Sequence, residues 1–171
     1  MYVLLIINYV FNMPVLQTGN LGIEVGVDFR NLPYRRKPDA VIDNMKNPAV
    51  LGEMFADMDN DGSYDFNYLN TQGWNNMAWC FYRLNPGCLV PRHVDHFINY
   101  MKYYNIKDRS RIVRTLVFLE DWKSGHYFEA DDRSFTHWRA MDYVTWTHDT
   151  PHLGGNMGDE TRYTVQLTGT I

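Results

Sequence analysis

The chain has 171 residues, 45% of them apolar and 15% aromatic, with a net charge of −4. That length suits one domain with a sizeable core and hardly two, and the composition argues against disorder. The acidic balance argues against a broad face for nucleic acid or anionic membrane, since Arg35-Arg36-Lys37 is the one dense basic run and reads as a solvated loop.

The opening stretch "MYVLLIINYVFNMPV" is apolar, but it lacks a basic n-region and a small-residue cleavage site. Asn8 and Asn12 interrupt it well short of a membrane span. Tyr2 to Val10 therefore reads as a core strand. Residues 31 to 39 form a turn-rich connection with Pro33 and Pro38. Pro38 is placed to open a helix running to about Met58, split in two by Pro48, with Asn47 capping the second piece. In "DMDNDGSYDFNY", Asp57, Asp59, Asp61 and Gly62 occupy positions 1, 3, 5 and 6 of a calcium-binding loop. Position 12 needs a bidentate Glu and holds Tyr68, so a solvated acidic turn is the better reading.

From Met77 the texture changes. "MAWCFYRL", a turn at Asn85-Pro86-Gly87, "CLVPRHV", "RIVRTLVFLEDW", "GHYFEA", "SFTHWRA", "DYVTWTH" and "RYTVQLTGTI" read as strands, with "TPHLGGN" between the last two. About eight short strands with regular turns predict a barrel or a two-sheet jelly roll. "HFINYMKYYNI" is ambiguous between a short helix and an insert. The expected organisation is a single domain over 1–171, with a β core over 76–171 and a strand and helices from 1–75 packed outside it. Cys80 and Cys88 form no CxxC pair and read as free buried thiols, which fits a reducing, cytoplasmic setting.

The chemistry concentrates at His93-Val94-Asp95-His96. On a strand, residues i and i+2 share a face, so His93 and Asp95 can hold one metal while His96 follows Val94 to the other side. A third ligand must come from a distant strand. His126 and His137 lie inside strand candidates. His148, four residues before His152, is its chief rival. His152, 57 residues after Asp95, is preferred, and Arg162 follows it by ten residues in the closing strand. Thr164 shares the face of Arg162.

The order His93-x-Asp95, His152, Arg162, Thr164 resembles that of the Fe(II)- and 2-oxoglutarate-dependent oxygenases. "RTLVFLEDWKSGHYF" and "DYVTWTHDTPHLGGN" look like the family's strands before the distal His. The resemblance covers roughly residues 76 to 171. It implies a mainly β protein with flanking helices, built on a double-stranded β-helix (a cupin-like jelly roll). It implies Fe(II) on His93, Asp95 and His152, with 2-oxoglutarate held by Arg162 and Thr164. No further catalytic side chain is required. The implied reaction consumes O2, converts 2-oxoglutarate to succinate and CO2, and hydroxylates a C–H bond.

The residue types suit that task. Two imidazoles and a carboxylate on one face leave coordination positions open for a chelating cosubstrate and O2. The guanidinium of Arg162 matches a carboxylate as a planar fork and stays charged when buried. The bland reading of Arg162 is a salt bridge to Asp159 or Glu160, and that of Thr164 is β-propensity alone. The expected substrate is a protein side chain (prolyl, Asp or Asn) or a free amino acid. Dealkylases of nucleic acids usually carry another Arg six residues after the cosubstrate Arg. Thr168 stands there, so nucleic acid is not the expected partner. Trp74, Trp79, Tyr100, Tyr103 and Tyr104 read as core or lid, some of them walling the pocket mouth. Two rival classes are a cupin-like metalloenzyme that uses no 2-oxo acid and a non-catalytic jelly-roll binding module.

Overall fold

The structure, a computed structural model, describes residues 16–36 and 52–171. The expected strand at Tyr2–Val10 and most of the expected helix after Pro38 lie outside the described residues. Ten strands are described: β1 (Leu16–Asn20), β2 (Glu53–Ala56), β3 (Asn75–Leu84), β4 (Leu89–His93), β5 (Ile112–Phe118), β6 (His126–Ala130), β7 (Arg133–Phe135), β8 (Asp142–Thr147), β9 (His152–Asn156) and β10 (Arg162–Thr170). One short helix, α1, spans Ile98–Tyr103.

Strands β3 to β10 pair first with last: β3 with β10, β4 with β9, β5 with β8 and β6 with β7, all antiparallel. A long hairpin wound on itself gives that nesting. It is closed by two further pairs, β5 with β10 and β6 with β9. The result is a six-stranded sheet, β1-β8-β5-β10-β3-β2, facing a four-stranded sheet, β4-β9-β6-β7. This is a mainly β, two-sheet jelly roll, one of the two forms that the strand texture predicts, and it is the double-stranded β-helix that the resemblance implies.

The corner between β3 and β4 is the Asn85-Pro86-Gly87 turn. Gly87 has φ 80°, which suits a residue without Cβ, and the Cys88 amide donates to Asn85 O at 3.0 Å. Neither cysteine is in a disulfide; Cys88 is buried and Cys80 half-buried.

Alternation along the strands divides the core in two. The outer face of the large sheet carries Phe55, Trp79, Phe81, Val117, Val165 and Leu167 against Leu32, Phe66 and Leu69. Fully burying such side chains is worth about 1.5–3 kcal/mol each. Between the sheets, Leu16, Leu116, Phe118, Phe128, Trp138, Val144 and Trp146 fill one end. The other end stays open as a cavity of about 550 Å³.

Two expectations for the N-terminal part are corrected. The segment before Met58 is strand β2 rather than helix, because it completes the edge of the large sheet against β3. Among the described residues before β3 there is no α-helix. The chain instead makes 3-10 turns at Phe29–Asn31, Asp57–Asp59 and Asn67–Leu69. "SFTHWRA" is strand only to Phe135, since His137 has φ 63° and turns the chain. The ambiguous aromatic run resolves as α1. Phe97 enters it with a left-handed backbone, φ 56°, and is buried.

Candidate metal centre

Strand pairing brings the predicted ligands together. His93 ends β4, His152 opens β9, and they are direct partners in the β4–β9 register. Asp95 follows two residues after His93. The three ligand atoms lie within 4.8 Å of one another. Among the described residues this is the one group of three or more such side chains so arranged. His93 Nε2 lies 3.7 Å from Asp95 Oδ1, and His152 Nε2 lies 3.5 Å from Asp95 Oδ2.

The histidines are presented with defined tautomers. His93 Nδ1 donates to Pro91 O at 2.8 Å, and His152 Nδ1 donates to Thr150 O at 3.0 Å. Each Nε2 is thereby turned toward the carboxylate, and in the neutral ring it carries the lone pair that a metal-binding imidazole needs. His152 Nε2 is buried without a hydrogen-bond partner. A buried orphan acceptor is costly unless something fills the gap. Together with two neutral-capable imidazoles and one carboxylate, that gap fits a divalent transition metal.

The electrostatics agree. Burial pushes His152 down to about 4, with the charges of His93 and Arg114 adding to the effect and Asp95 opposing it. Burial also works against charge on His93, but hydrogen bonds to Asp95 and the Pro91 carbonyl outweigh it and raise its pKa. Burial alone would raise Asp95; Arg114 and the two histidines instead hold its carboxyl well below the usual carboxylate range. Asp95, 6% exposed, is therefore a carboxylate ready to ligate.

Arg114 was not legible as a site residue. Its Nη1 donates to Asp95 Oδ2 at 2.7 Å, its Nε to Thr168 Oγ1 at 3.1 Å, and its guanidinium lies 4.7 Å from the Phe97 ring centre. The one available signal was a single charged residue inside β5, whose sequence is IVRTLVF. Arg109 also belongs to the frame. Its Nη2 donates to Asp95 O, His148 O and Asp149 Oδ1, tying the segment after β4 to the loop before β9. His148 turns its Nε2 to Asp149 at 2.8 Å, and His96 is exposed.

Arg162, Thr164, Gln166 and Thr168 project from one face of β10 into the same cavity as the triad. Arg162 is 5% exposed. Its Nη1 donates to the carbonyls of Tyr127 and Gly155, and its Nε is buried with no partner. The suspected salt bridges are not made: among the described residues no carboxylate pairs with Arg162, and Glu160 pairs with Lys123 at 2.8 Å. Burial lowers Arg162 to about 10, which leaves it charged at neutral pH. Gly154 makes room for it, since a Cβ there would lie 2.7 Å from Arg162 Nη2. Thr164, 1% exposed, sits beside it.

Among the described residues the acidic turn after β2 gathers no ligand set. Asp61 Oδ1 accepts from Ser63, and Asn60 bonds Tyr64 in both directions.

No family model matches the sequence, and no curated protein matches it. Solved structures do align. A prolyl-4-hydroxylase from Pseudomonas putida gives a TM-score of 0.48 at 16% identity, over 69% of this chain and 71% of that one. A protein from Photorhabdus luminescens gives 0.46 at 9%, over 81% and 88%. The cupin domain of Cnp3 from Schizosaccharomyces pombe gives 0.43 at 8%, over 70% and 64%. These likenesses concern the fold alone. The class defined by strand order and side chains is a cupin-like double-stranded β-helix protein with a His-Asp-His cluster able to hold a metal. Among the described residues no helix is long and apolar enough to cross a membrane.

Proposed function

We propose that the protein is an Fe(II)- and 2-oxoglutarate-dependent oxygenase that hydroxylates a C–H bond of a protein side chain or a free amino acid. The observation that carries this reading is Arg162. A guanidinium buried without a carboxylate partner among the described residues, opening onto the same cavity as a two-histidine, one-carboxylate cluster, is a receptor waiting for an anion. A 2-oxo dicarboxylate has the matching shape, with one end to chelate the metal and the other to meet the guanidinium.

When bound, Fe(II) supplies O2 chemistry that couples oxidation of 2-oxoglutarate to succinate and CO2 with insertion of one oxygen atom into the substrate. The protein's own residues do the holding. His93, Asp95 and His152 supply one face of donors. Arg114 fixes the Asp95 carboxylate, and the Pro91 and Thr150 carbonyls fix the imidazole planes. Arg162 and Thr164 bind the far carboxylate. The apolar wall from Leu84, Val90, Leu116 and Phe128 keeps water out of the closed end.

The test is a spectrum and a product. Anaerobic protein with Fe(II) and 2-oxoglutarate should show a charge-transfer band, and in air it should release succinate. His93→Ala should show neither. A silent wild type defeats the reading. If Arg162→Ala keeps full activity, the enzyme is a metal-dependent cupin that needs no 2-oxo acid.

A further inference from the structure

The mouth of the cavity carries a charge that the metal and cosubstrate do not use. Strand β2 runs antiparallel to β3, with Met54 and Ala56 facing the cavity. The chain then makes its 3-10 turn and sets Asp57 and Met58 on the rim. Helix α1 closes in with Tyr100 and Tyr103, and Tyr104 follows as its C-terminal cap. Tyr100 donates its hydroxyl to Asn76 O at 2.8 Å and Tyr104 to Met77 O at 3.2 Å, so the helix is pinned over the start of β3. The rings lie 5.0 Å (Tyr100–Tyr104) and 4.8 Å (Tyr103–Tyr104) apart. With two hydroxyls occupied by backbone, the cluster offers ring surface. Tyr103 is 76% exposed and Met58 64%, an apolar rim with nothing on it among the described residues.

The charges lining the cavity can be matched one by one. Arg114 is taken by Asp95. Arg162 lies buried at the closed end. Asp57, half-buried, has no side-chain hydrogen bond or ion pair among the described residues. Its charge reaches Tyr104, whose pKa is raised by burial first and by Asp57 second. Asp57 itself is pushed up by burial and by Asp65. A half-buried carboxylate beside aromatic faces is what an organic cation finds complementary, through charge on one side and ring quadrupoles on the other.

We propose that the rim binds a cationic side chain of the substrate, an ammonium or guanidinium, with Asp57 as counter-ion and the Tyr100–Tyr103–Tyr104 cluster as its aromatic wall. A basic amino acid, free or within a peptide, has this chemistry, and its alkyl stem would run inward over Met54 and Ala56. The inference rests on the oxygenase reading for what becomes of the bound molecule, not for whether it binds.

Calorimetry on the full chain, anaerobic, with Fe(II) and 2-oxoglutarate, tests it. The probes are L-lysine, L-arginine, their Nα-acetyl N-methylamides, and the norleucine counterpart of each form. The free or the capped basic probe should bind roughly tenfold or more tighter than its norleucine counterpart. Which form binds tells free amino acid from peptide. Asp57→Asn should remove most of that preference, and Tyr103→Ala, at an exposed position, should weaken it several-fold. Equal binding of norleucine, no binding of any basic probe, or a preference untouched by Asp57→Asn overturns the proposal. The charge-transfer band recorded before each titration keeps the two readings apart. Its absence counts against the oxygenase, whereas the calorimetric preference for a cation counts for or against the rim alone.

Discussion

His93 and His152 stand opposite each other in the β4–β9 register, their ring centres 4.3 Å apart, and each donates Nδ1 to the carbonyl two residues before it. The two imidazoles are thus held by one local device, repeated on neighbouring strands. A site so arranged before metal arrives should bind with little rearrangement. At a hundredfold excess over Kd, Fe(II) should stabilise the fold by about 2.7 kcal/mol. For a chain of this size that is roughly 5–10 °C in an anaerobic melt. His152→Ala should abolish the shift and the bound iron together. A shift that survives in the variant would place the metal elsewhere.

Gly154 is legible only in three dimensions. Its position in "TPHLGGN" looks like a turn, yet it lies inside β9 and is buried. Gly154→Ala would drive a methyl group to 2.7 Å from Arg162 Nη2, well inside contact distance. The guanidinium must swing away, and the anion site should fail while the metal site survives. The expected result is a rise in KM for 2-oxoglutarate of about tenfold or more, with iron stoichiometry unchanged. Unaltered KM would show that Arg162 does not face the cosubstrate.

Arg114 orients Asp95 and neutralises it. Removing it leaves the buried carboxylate facing the two histidines without its direct cationic partner. Arg114→Ala should weaken metal binding by roughly 10–100-fold, the range seen when outer groups that hold ligands are lost. Apo stability should fall by about 2 kcal/mol, less than for a fully buried pair because Arg114 is partly solvated. Lys at this position should recover charge but not the link to Thr168, and so restore only part of the affinity. Equal metal affinity in all three proteins would reduce Arg114 to a structural residue.

Fold class was readable because alternation and turns are local signals. About eight strands were expected after Met77 and seven runs were named; β9 is the one not marked, because "HLGGN" lacks the apolar alternation of a strand. The His-Asp-His cluster was readable because a His-x-Asp spacing reads as one face of a strand and chain order leaves few partners, although β4 ends at His93 and Asp95 lies just beyond it. What escaped was set by long-range pairing. Residues 53–56 became an edge strand because β3 offered it hydrogen bonds, and a helical reading of their surroundings could not register that. Arg114 is an ordinary polar residue until β10 and Phe97 surround it. Asp57 drew notice as part of a calcium-like loop, but the fold spends it on the cavity rim instead.

Arg162 separates stability from function most sharply. A buried guanidinium satisfied by two carbonyls, with Nε unpartnered and no counter-ion among the described residues, burdens the empty protein. Burial lowers its pKa to about 10, the direction expected of a guanidinium withdrawn from water. Arg162→Met keeps the length and removes the charge. The variant without ligands should unfold at the same temperature as wild type or a few degrees higher, since 1 kcal/mol is worth roughly 2–4 °C here. It should also lose the further thermal shift that 2-oxoglutarate gives the iron-loaded wild type. Both readouts come from one set of melts, with and without iron and cosubstrate. A variant that is less stable when empty, yet still stabilised by 2-oxoglutarate, would make Arg162 a structural residue and send the search for the anion site to another wall of the cavity.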